Sequence, residues 1–393
     1  MSSRPEAGRK RPWFRRVMVG LIAFLVLFHV AGGWYFASEV RSDALLVKEQ
    51  SFDYTIPVLA RNQNTVTLDG GTDPSEDLLS DEVLGVAFAD GFGQVSDVIE
   101  ISGGSVTRTY THLSGAVPAV GDLVGLEGFA YPADPAALGI EYTQVMYSSP
   151  FGEFPAWFVD GDSGTWAIFV HGRGAHMREG FRILPTLIDA GMPVMLISYR
   201  NDEASPQTDD RLARFGATEW EELDGAVGYA LDNGAAQVVL VGFSMGSAIS
   251  MAFLERSPLA DSVEAVIFDS PALDLAGMVE GRAADTDLVP GLPIKVPRSL
   301  TVAAKAFADV QFDVTWWLVD YLSHPNVIDV PTLLIHGDDD GSVPVGQSID
   351  FAESLGDLAQ LELFPGAGHV RSWNVDRERY ERLVAEFLSD LGL

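Results

Sequence analysis

The sequence predicts an α/β protein whose largely parallel sheet is covered by helices on both faces. Three observations carry this. From about residue 140 onward, short apolar runs alternate with stretches of helical period. Several of those runs, such as 166–170 and 238–241, are apolar throughout instead of alternating, as strands buried on both faces must be. The later runs are each followed by a helix-length segment, the βα repeat of a doubly wound domain.

The strands are expected at 141–148, 154–159, 166–170, 194–199, 238–241, 265–268, 332–335 and 361–364. No helix separates the first two, so they open the sheet. Helices are expected at 219–233, 245–256, 345–355 and 376–391. The stretch 272–330 is too long for a connection. Pro290, Pro293 and Pro297 break it early, and an Ala-rich helical run follows with Phe307, Phe312, Trp316, Trp317, Tyr321 and Leu322. It reads as an inserted lid over a site, with plain structural helices as the alternative.

Ahead of this domain, residues 37–139 are rich in Thr, Val, Gly and Asp. Alternating stretches at 51–58, 64–68, 98–101 and 105–112 lie between turn-like sequences such as Asp69-Gly70-Gly71 and Gly103-Gly104. This is a small β-rich region with no catalytic constellation, expected to act as a spacer or scaffold. Residues 1–16 hold six basic residues against Glu6, and residues 17–36 are free of charge with only His29 as a polar interruption. Twenty helical residues span about 30 Å, one hydrocarbon core. The expectation is a transmembrane signal-anchor with its basic end cytoplasmic and the body, catalytic domain included, outside the cell membrane. The alternative is a signal peptide cleaved near Ala31-Gly32-Gly33, leaving a secreted protein.

Composition excludes several classes. The 393 residues contain no cysteine, which removes disulfide scaffolds, thiolate metal sites and a Cys nucleophile. A net charge of −31 repels phosphate backbones, so nucleic acid is not an expected partner. The seven histidines are scattered, with no metal-ligand spacing, and neither metal nor cofactor is expected.

One motif carries chemistry. Gly242-Phe243-Ser244-Met245-Gly246 follows the apolar run 238–241 and leads straight into a helical stretch. In that setting it is a tight turn needing small flanking residues, and it holds the Ser244 hydroxyl clear of the sheet at a helix N-terminus. A serine hydroxyl needs a base, and the base needs an orienting group. Downstream, one strand ends in His336-Gly337-Asp338-Asp339-Asp340-Gly341-Ser342-Val343-Pro344 and the next in Gly366-Ala367-Gly368-His369. Both loops follow strands, where open α/β sheets place their ligands.

With Ser244, Asp340 and His369 in this order, the chain from 140 to 393 resembles the α/β-hydrolase superfamily. The resemblance implies an eight-stranded, mostly parallel sheet with a helical lid insertion. It makes Ser244 the nucleophile, His369 the base and Asp340 the acid, the last aligned on the family's H-G-x-x-D-x-x-V-P; Asp338 and Asp339 are then neighbours. Some members take the acid from the preceding strand, where Asp269 stands in Ile267-Phe268-Asp269-Ser270-Pro271. The oxyanion hole would use the backbone N–H groups of Met245 and of Arg173 in His171-Gly172-Arg173-Gly174, with His171 and His336 as packing residues. More narrowly, Tyr199-Arg200-Asn201-Asp202, Glu219-Trp220 and His369-Val370-Arg371-Ser372-Trp373-Asn374 are similar to membrane-anchored hydrolases of actinobacteria. Arg200, Asp202 and Glu219 are expected to form an ion-pair network under the site.

The function implied is hydrolysis of an acyl ester of a small-molecule or lipid substrate through an acyl-enzyme. The alternatives are a serine peptidase, with Glu219, Asp224 or Glu280 holding a substrate amine, and a non-catalytic surface scaffold. A serine in place of a carboxylate nucleophile argues against dehalogenase and epoxide hydrolase chemistry.

Overall fold

The computed structural model describes residues 12–48, 53–289 and 291–393. Most of the basic N-terminal segment, the first two residues of the strand expected at 51–58, and Pro290 lie outside the described residues. Helix α1 (Pro12–Val40) takes in the whole expected apolar span and extends it at both ends, so Arg15 and Arg16 are helical. Its apolar residues from Trp13 to Leu27 are exposed, Leu27 by 67%. In water such a surface would be strongly unfavourable; a bilayer accepts it.

The β-rich region is a closed antiparallel barrel. Its strands are β1 (Ile56–Arg61), β2 (Thr65–Asp69), β3 (Leu84–Phe88), β4 (Gly91–Ser102), β5 (Ser105–Gly115) and β6 (Leu123–Glu127), in the order β1-β2-β5-β4-β3-β6, with β6 returning to β1. A four-residue helix, α2 (Glu76–Leu79), joins β2 to β3. Alternation explains the interior: Val66 and Leu68 of β2 and Val106 of β5 point inward with Val58, Val86, Val95 and Val124. Arg108 is fully buried, and its guanidinium donates to the carbonyls of Ser96 (3.0 Å), Asp77 (2.7 Å) and Glu82 (2.6 Å). Each of its three nitrogens finds a carbonyl oxygen, which offsets part of the cost of burying the cation, although burial still lowers its pKa.

The second sheet has eight strands: β7 (Thr143–Ser149), β8 (Gly152–Val159), β9 (Thr165–Val170), β10 (Val194–Ile197), β11 (Gln237–Phe243), β12 (Val263–Asp269), β13 (Thr332–Gly337) and β14 (Ala359–Phe364), ordered β14-β13-β12-β11-β9-β10-β8-β7. All neighbours from β10 to β14 are parallel, while β7 and β8 pair antiparallel. The helices are α3 (Leu184–Asp189), α4 (Trp220–Asp232), α5 (Met245–Arg256), α6 (Leu275–Asp285), α7 (Arg298–Phe312), α8 (Gly346–Leu355), α9 (Ser372–Val375) and α10 (Arg377–Asp390). Every residue of β9, β10 and β13 is buried, which is why those strands read as unbroken apolar runs. Strand order reverses between β9 and β11, leaving a crevice beyond their carboxyl ends.

The described residues form two compact units, one of 46–278 with 317–393, the other of 12–45 with 279–316. The expected insertion 272–330 is therefore not one piece. Its end belongs with the sheet, where buried Tyr321 donates to the carbonyl of Phe215 (2.9 Å) and Arg256 to that of Leu318 (3.1 Å). In the smaller unit, α7 lies alongside the second half of α1 and runs parallel to it. His29 Nε2 and Ser299 Oγ are 2.9 Å apart, and the Arg41 guanidinium sits 5.9 Å from the Phe312 ring centre. Between these contacts, a Cβ on Gly32 would come within 2.5 Å of Leu300, and one on Gly33 within 2.9 Å of Ala303 and Phe307. The small residues that resemble a cleavage site are thus what lets the two helices approach.

Candidate active site

Ser244 stands alone between β11 and α5, at φ 50° and ψ −117°. That backbone is strained for a residue with a side chain, and its neighbours must be small. A Cβ on Gly246 would strike the Val170 carbonyl, and one on Gly242 would come within 2.7 Å of the Ser247 amide. The turn is held by the Ser244 amide donating to the Asp269 carbonyl at 2.9 Å. It leaves Ser244 Oγ at the N-terminus of α5, at the crevice between β9 and β11.

The loops after β13 and β14 bring two more side chains to this hydroxyl. His369 Nε2 lies 2.8 Å from Ser244 Oγ, and His369 Nδ1 lies 2.7 Å from Asp340 Oδ2. The other Asp340 oxygen accepts from the amides of Ser342 (2.7 Å) and Val343 (2.8 Å). His336 Nε2 adds a contact at 3.1 Å to Oδ2, with its own Nδ1 2.7 Å from Ser348 Oγ. Burial alone would raise the Asp340 carboxyl, but hydrogen bonds from His336, His369 and the Val343 amide overcome it and hold the group well below the usual carboxylate range. It is an anion wherever the protein is folded near neutrality.

Asp269 is differently placed. It is fully buried at the end of β12 and accepts from Ser270 Oγ at 3.1 Å. Burial pushes it up to about 6, against the pull of Arg182 and Ser270. Among the described residues no hydrogen bond joins its carboxylate to His369.

The amide of Met245 opens α5, and Arg173 lies in the loop after β9. That loop touches the Ser244 turn, since a Cβ on Gly172 would come within 3.1 Å of Ser244 Cβ. Its shape is fixed from three sides. The Gly172 amide donates to Glu179 Oε2 (2.8 Å), Tyr199 Oη donates to the Gly172 carbonyl (3.0 Å), and Arg173 Nη1 donates to the Leu46 carbonyl (3.0 Å). His171 is buried, stacks on Tyr199 with ring centres 4.3 Å apart, and reaches Asp202 Oδ2 at 2.8 Å.

The expected network of Arg200, Asp202 and Glu219 does not form. Asp202 serves His171 and the Tyr199 amide (2.8 Å), Arg200 pairs with Glu222 (2.7 Å) and Glu221 (3.1 Å), and Glu219 accepts from the amides of Arg214 (2.6 Å) and Gly216 (3.1 Å). Three neighbouring carboxylates on one helix entry could not be apportioned among their partners by sequence alone. Glu219, Asp224 and Glu280 each have partners of their own. Asp224 accepts from Ser257 Oγ, and Glu280 pairs with Lys305 at 2.6 Å.

Sequence reasoning missed Glu179, Arg182 and Arg178, which lie in a short 3-10 helix (Met177–Arg182) after β9 and are all buried. Arg182 donates to the Val370 carbonyl, beside His369, and to Asn374 Oδ1 (3.1 Å), and it pairs with Glu179 (3.4 Å). Asn374 Nδ2 then donates to the carbonyls of Val83 (2.6 Å) and Gly128 (2.8 Å), and the Val83 amide donates back to Asn374 (2.8 Å). Arg371 pairs with Asp77 (2.5 Å) and Glu82 (2.9 Å), and Arg178 with Glu127 (3.3 Å). The residues after His369 therefore seat the barrel. The only signal for this was the motif itself, Val370-Arg371-Ser372-Trp373-Asn374, unusually rich in groups that want partners.

The model of the Alpha/beta hydrolase family matches residues 167–386, more than half of the chain. The chain belongs to that family. Among curated relatives, this α/β hydrolase is 27% identical over 273 residues to a candidate non-heme chloroperoxidase of Synechocystis sp., covering 59% of this chain and 94% of that one. Among solved structures it resembles an esterase of Pyrococcus furiosus (22% identity, 66% and 94% of the two chains, TM-score 0.51). It also resembles a puromycin-hydrolyzing peptidase of Mycobacterium tuberculosis (18% identity, 79% and 46% covered, TM-score 0.50). At these identities the likeness is one of fold.

Proposed function

We propose that this α/β hydrolase is a serine esterase acting on acyl esters. Ser244 Oγ attacks the ester carbonyl as His369 Nε2 takes its proton, with Asp340 holding Nδ1–H and so fixing the tautomer. The amides of Met245 and Arg173 stabilise the oxyanion, helped by the N-terminus of α5. His369 then protonates the departing alcohol, leaving an acyl-enzyme on Ser244. Water, deprotonated by His369, attacks that carbonyl, and the proton returns to Ser244 as the acid leaves.

The observation that carries this reading is the continuous row of two hydrogen bonds, 2.8 and 2.7 Å, from a strained serine through His369 to a stabilised carboxylate. An ester is favoured over a peptide because the carboxylates nominated to hold an amine are all committed elsewhere. The apolar helix α1 is read as a retained anchor, since Gly32 and Gly33 are seated against α7, where a cleavage would remove half of that packing. In this the chain resembles the membrane-anchored actinobacterial group.

The test compares wild type with Ser244→Ala on p-nitrophenyl esters from acetyl to palmitoyl, beside aminoacyl p-nitroanilides. Ester turnover that is lost in the mutant, with an unchanged melting temperature, is the expected result. Anilide turnover would replace the esterase with a peptidase. Silence on both, with no labelling of Ser244 by a fluorophosphonate, would leave a non-catalytic scaffold.

A further inference from the structure

Residues 286–289 and 291–296, which lead into α7, pair as the two arms of a small hairpin. Val296 N donates to the Thr286 carbonyl (3.0 Å), Asp287 bridges to Lys295, and Leu288 N donates to the Ile294 carbonyl (2.6 Å). At its far end Val289, Leu292 and Ile294 are exposed by 46, 48 and 54%. Three large apolar side chains on one short excursion call for a covering.

Their position relative to α1 says what the covering is. Because α7 runs parallel to α1 and starts beside His29, the hairpin leaves from the end of α7 that meets the exposed half of α1. Arg15 and Arg16 mark one membrane boundary. A hydrocarbon core of about 30 Å measured from Val17 runs about twenty residues, to Phe36. The exposed Trp34 and Tyr35 fall at that second boundary, where aromatic side chains favour the interface. His29, seven residues before Phe36, is then about 10 Å inside it.

Several polar groups at that depth have partners, while Asp285 and Arg298 are exposed and would reach toward the headgroups. His29 bonds to Ser299, Lys295 pairs with Asp287 at 3.0 Å, and Lys295 Nζ also donates to the Asp285 carbonyl at 2.7 Å. Val302, exposed by 57% on the first turns of α7, extends the apolar surface in the same zone.

We infer that the hairpin tip, Val289, Leu292 and Ile294, is a second membrane contact, immersed in the bilayer leaflet nearer the body of the protein and held there by the docking of α7 on α1. The smaller unit is thereby tied to lipid at two points, α1 and the hairpin tip. This rests on α1 being a retained anchor.

The chain has no cysteine, so single cysteines label uniquely. Leu25→Cys in the exposed half of α1, Leu292→Cys and Val289→Cys in the hairpin, and Val310→Cys near the other end of α7 would each carry an environment-sensitive NBD group. The full chain would be reconstituted into phosphatidylcholine–phosphatidylglycerol vesicles with and without brominated acyl chains. Blue-shifted, bromine-quenched emission at positions 25, 292 and 289, with water-like emission at 310, is the expected result. Quenching at 25 with water-like emission at both 289 and 292 overturns the hairpin contact and leaves the anchor intact. Water-like emission at 25 as well, with the protein released by carbonate, overturns the anchor and the inference with it.

Discussion

Asp340 accepts from two histidines and two amides, so its charge is set before substrate arrives. Replacing it by Asn keeps the volume but lets the wrong His369 tautomer form; kcat for the ester assay should fall by roughly 10³ to 10⁴. Its linkage to folding has a definite sign. The folded carboxyl titrates below its ordinary value near 3.8, so the stability it contributes is present above that pH and lost as pH falls through the folded value. Urea melts between pH 2 and 6 should show a steeper acid loss in the wild type than in Asp340→Asn; parallel curves would mean the histidines do not hold the group down. At this scale the catalytic candidates were legible because each needs a conspicuous residue type at a strand end. The second histidine on Asp340 was not, since His336 in a His-Gly strand end looks the same whether it packs or binds.

Elements that bury a continuous apolar run announce themselves, as β9, β10 and β13 do, and the edge strands β7 and β14 were legible although most of their residues are not buried. The barrel was harder. β3 is five residues long and follows no alternation, because all five are buried, and the outer end of β4 at 98–101 reads as a strand although its side chains are largely exposed. What no local pattern could reveal is partnership across the chain. Asn374 is 291 residues from Val83, yet it ties α9 to the barrel and, through Arg182, to the carbonyl beside His369. Asn374→Ala strands the carbonyls of Val83 and Gly128 and takes one acceptor from the Arg182 guanidinium, at a cost of about 2 to 4 kcal/mol. A lower melting temperature should be accompanied by a fall in kcat larger than any change in KM, because the loop that loosens carries His369, the proposed base. Unchanged kcat in a destabilised protein would make the residue purely structural.

On the scale of the whole molecule, the boundary at 139 and 140 is one of topology and not of independence. Arg178, Arg371 and Asn374 all look across it for partners. A fragment of residues 140–393 should melt well below one of residues 53–393 and hydrolyse esters more slowly; equal melting temperatures would show that the barrel is dispensable. The parallel packing of α1 and α7 has a consequence for biosynthesis. The groove at Gly32 and Gly33 is synthesised long before the helix that fills it, which is complete only at Phe312. At about 5 to 20 residues per second the interval is roughly a quarter of a minute to a minute. If α1 is the anchor proposed above, the nascent chain hangs for that time from a lone apolar helix with a bare glycine face, and most of the chain is made before the anchor acquires its partner.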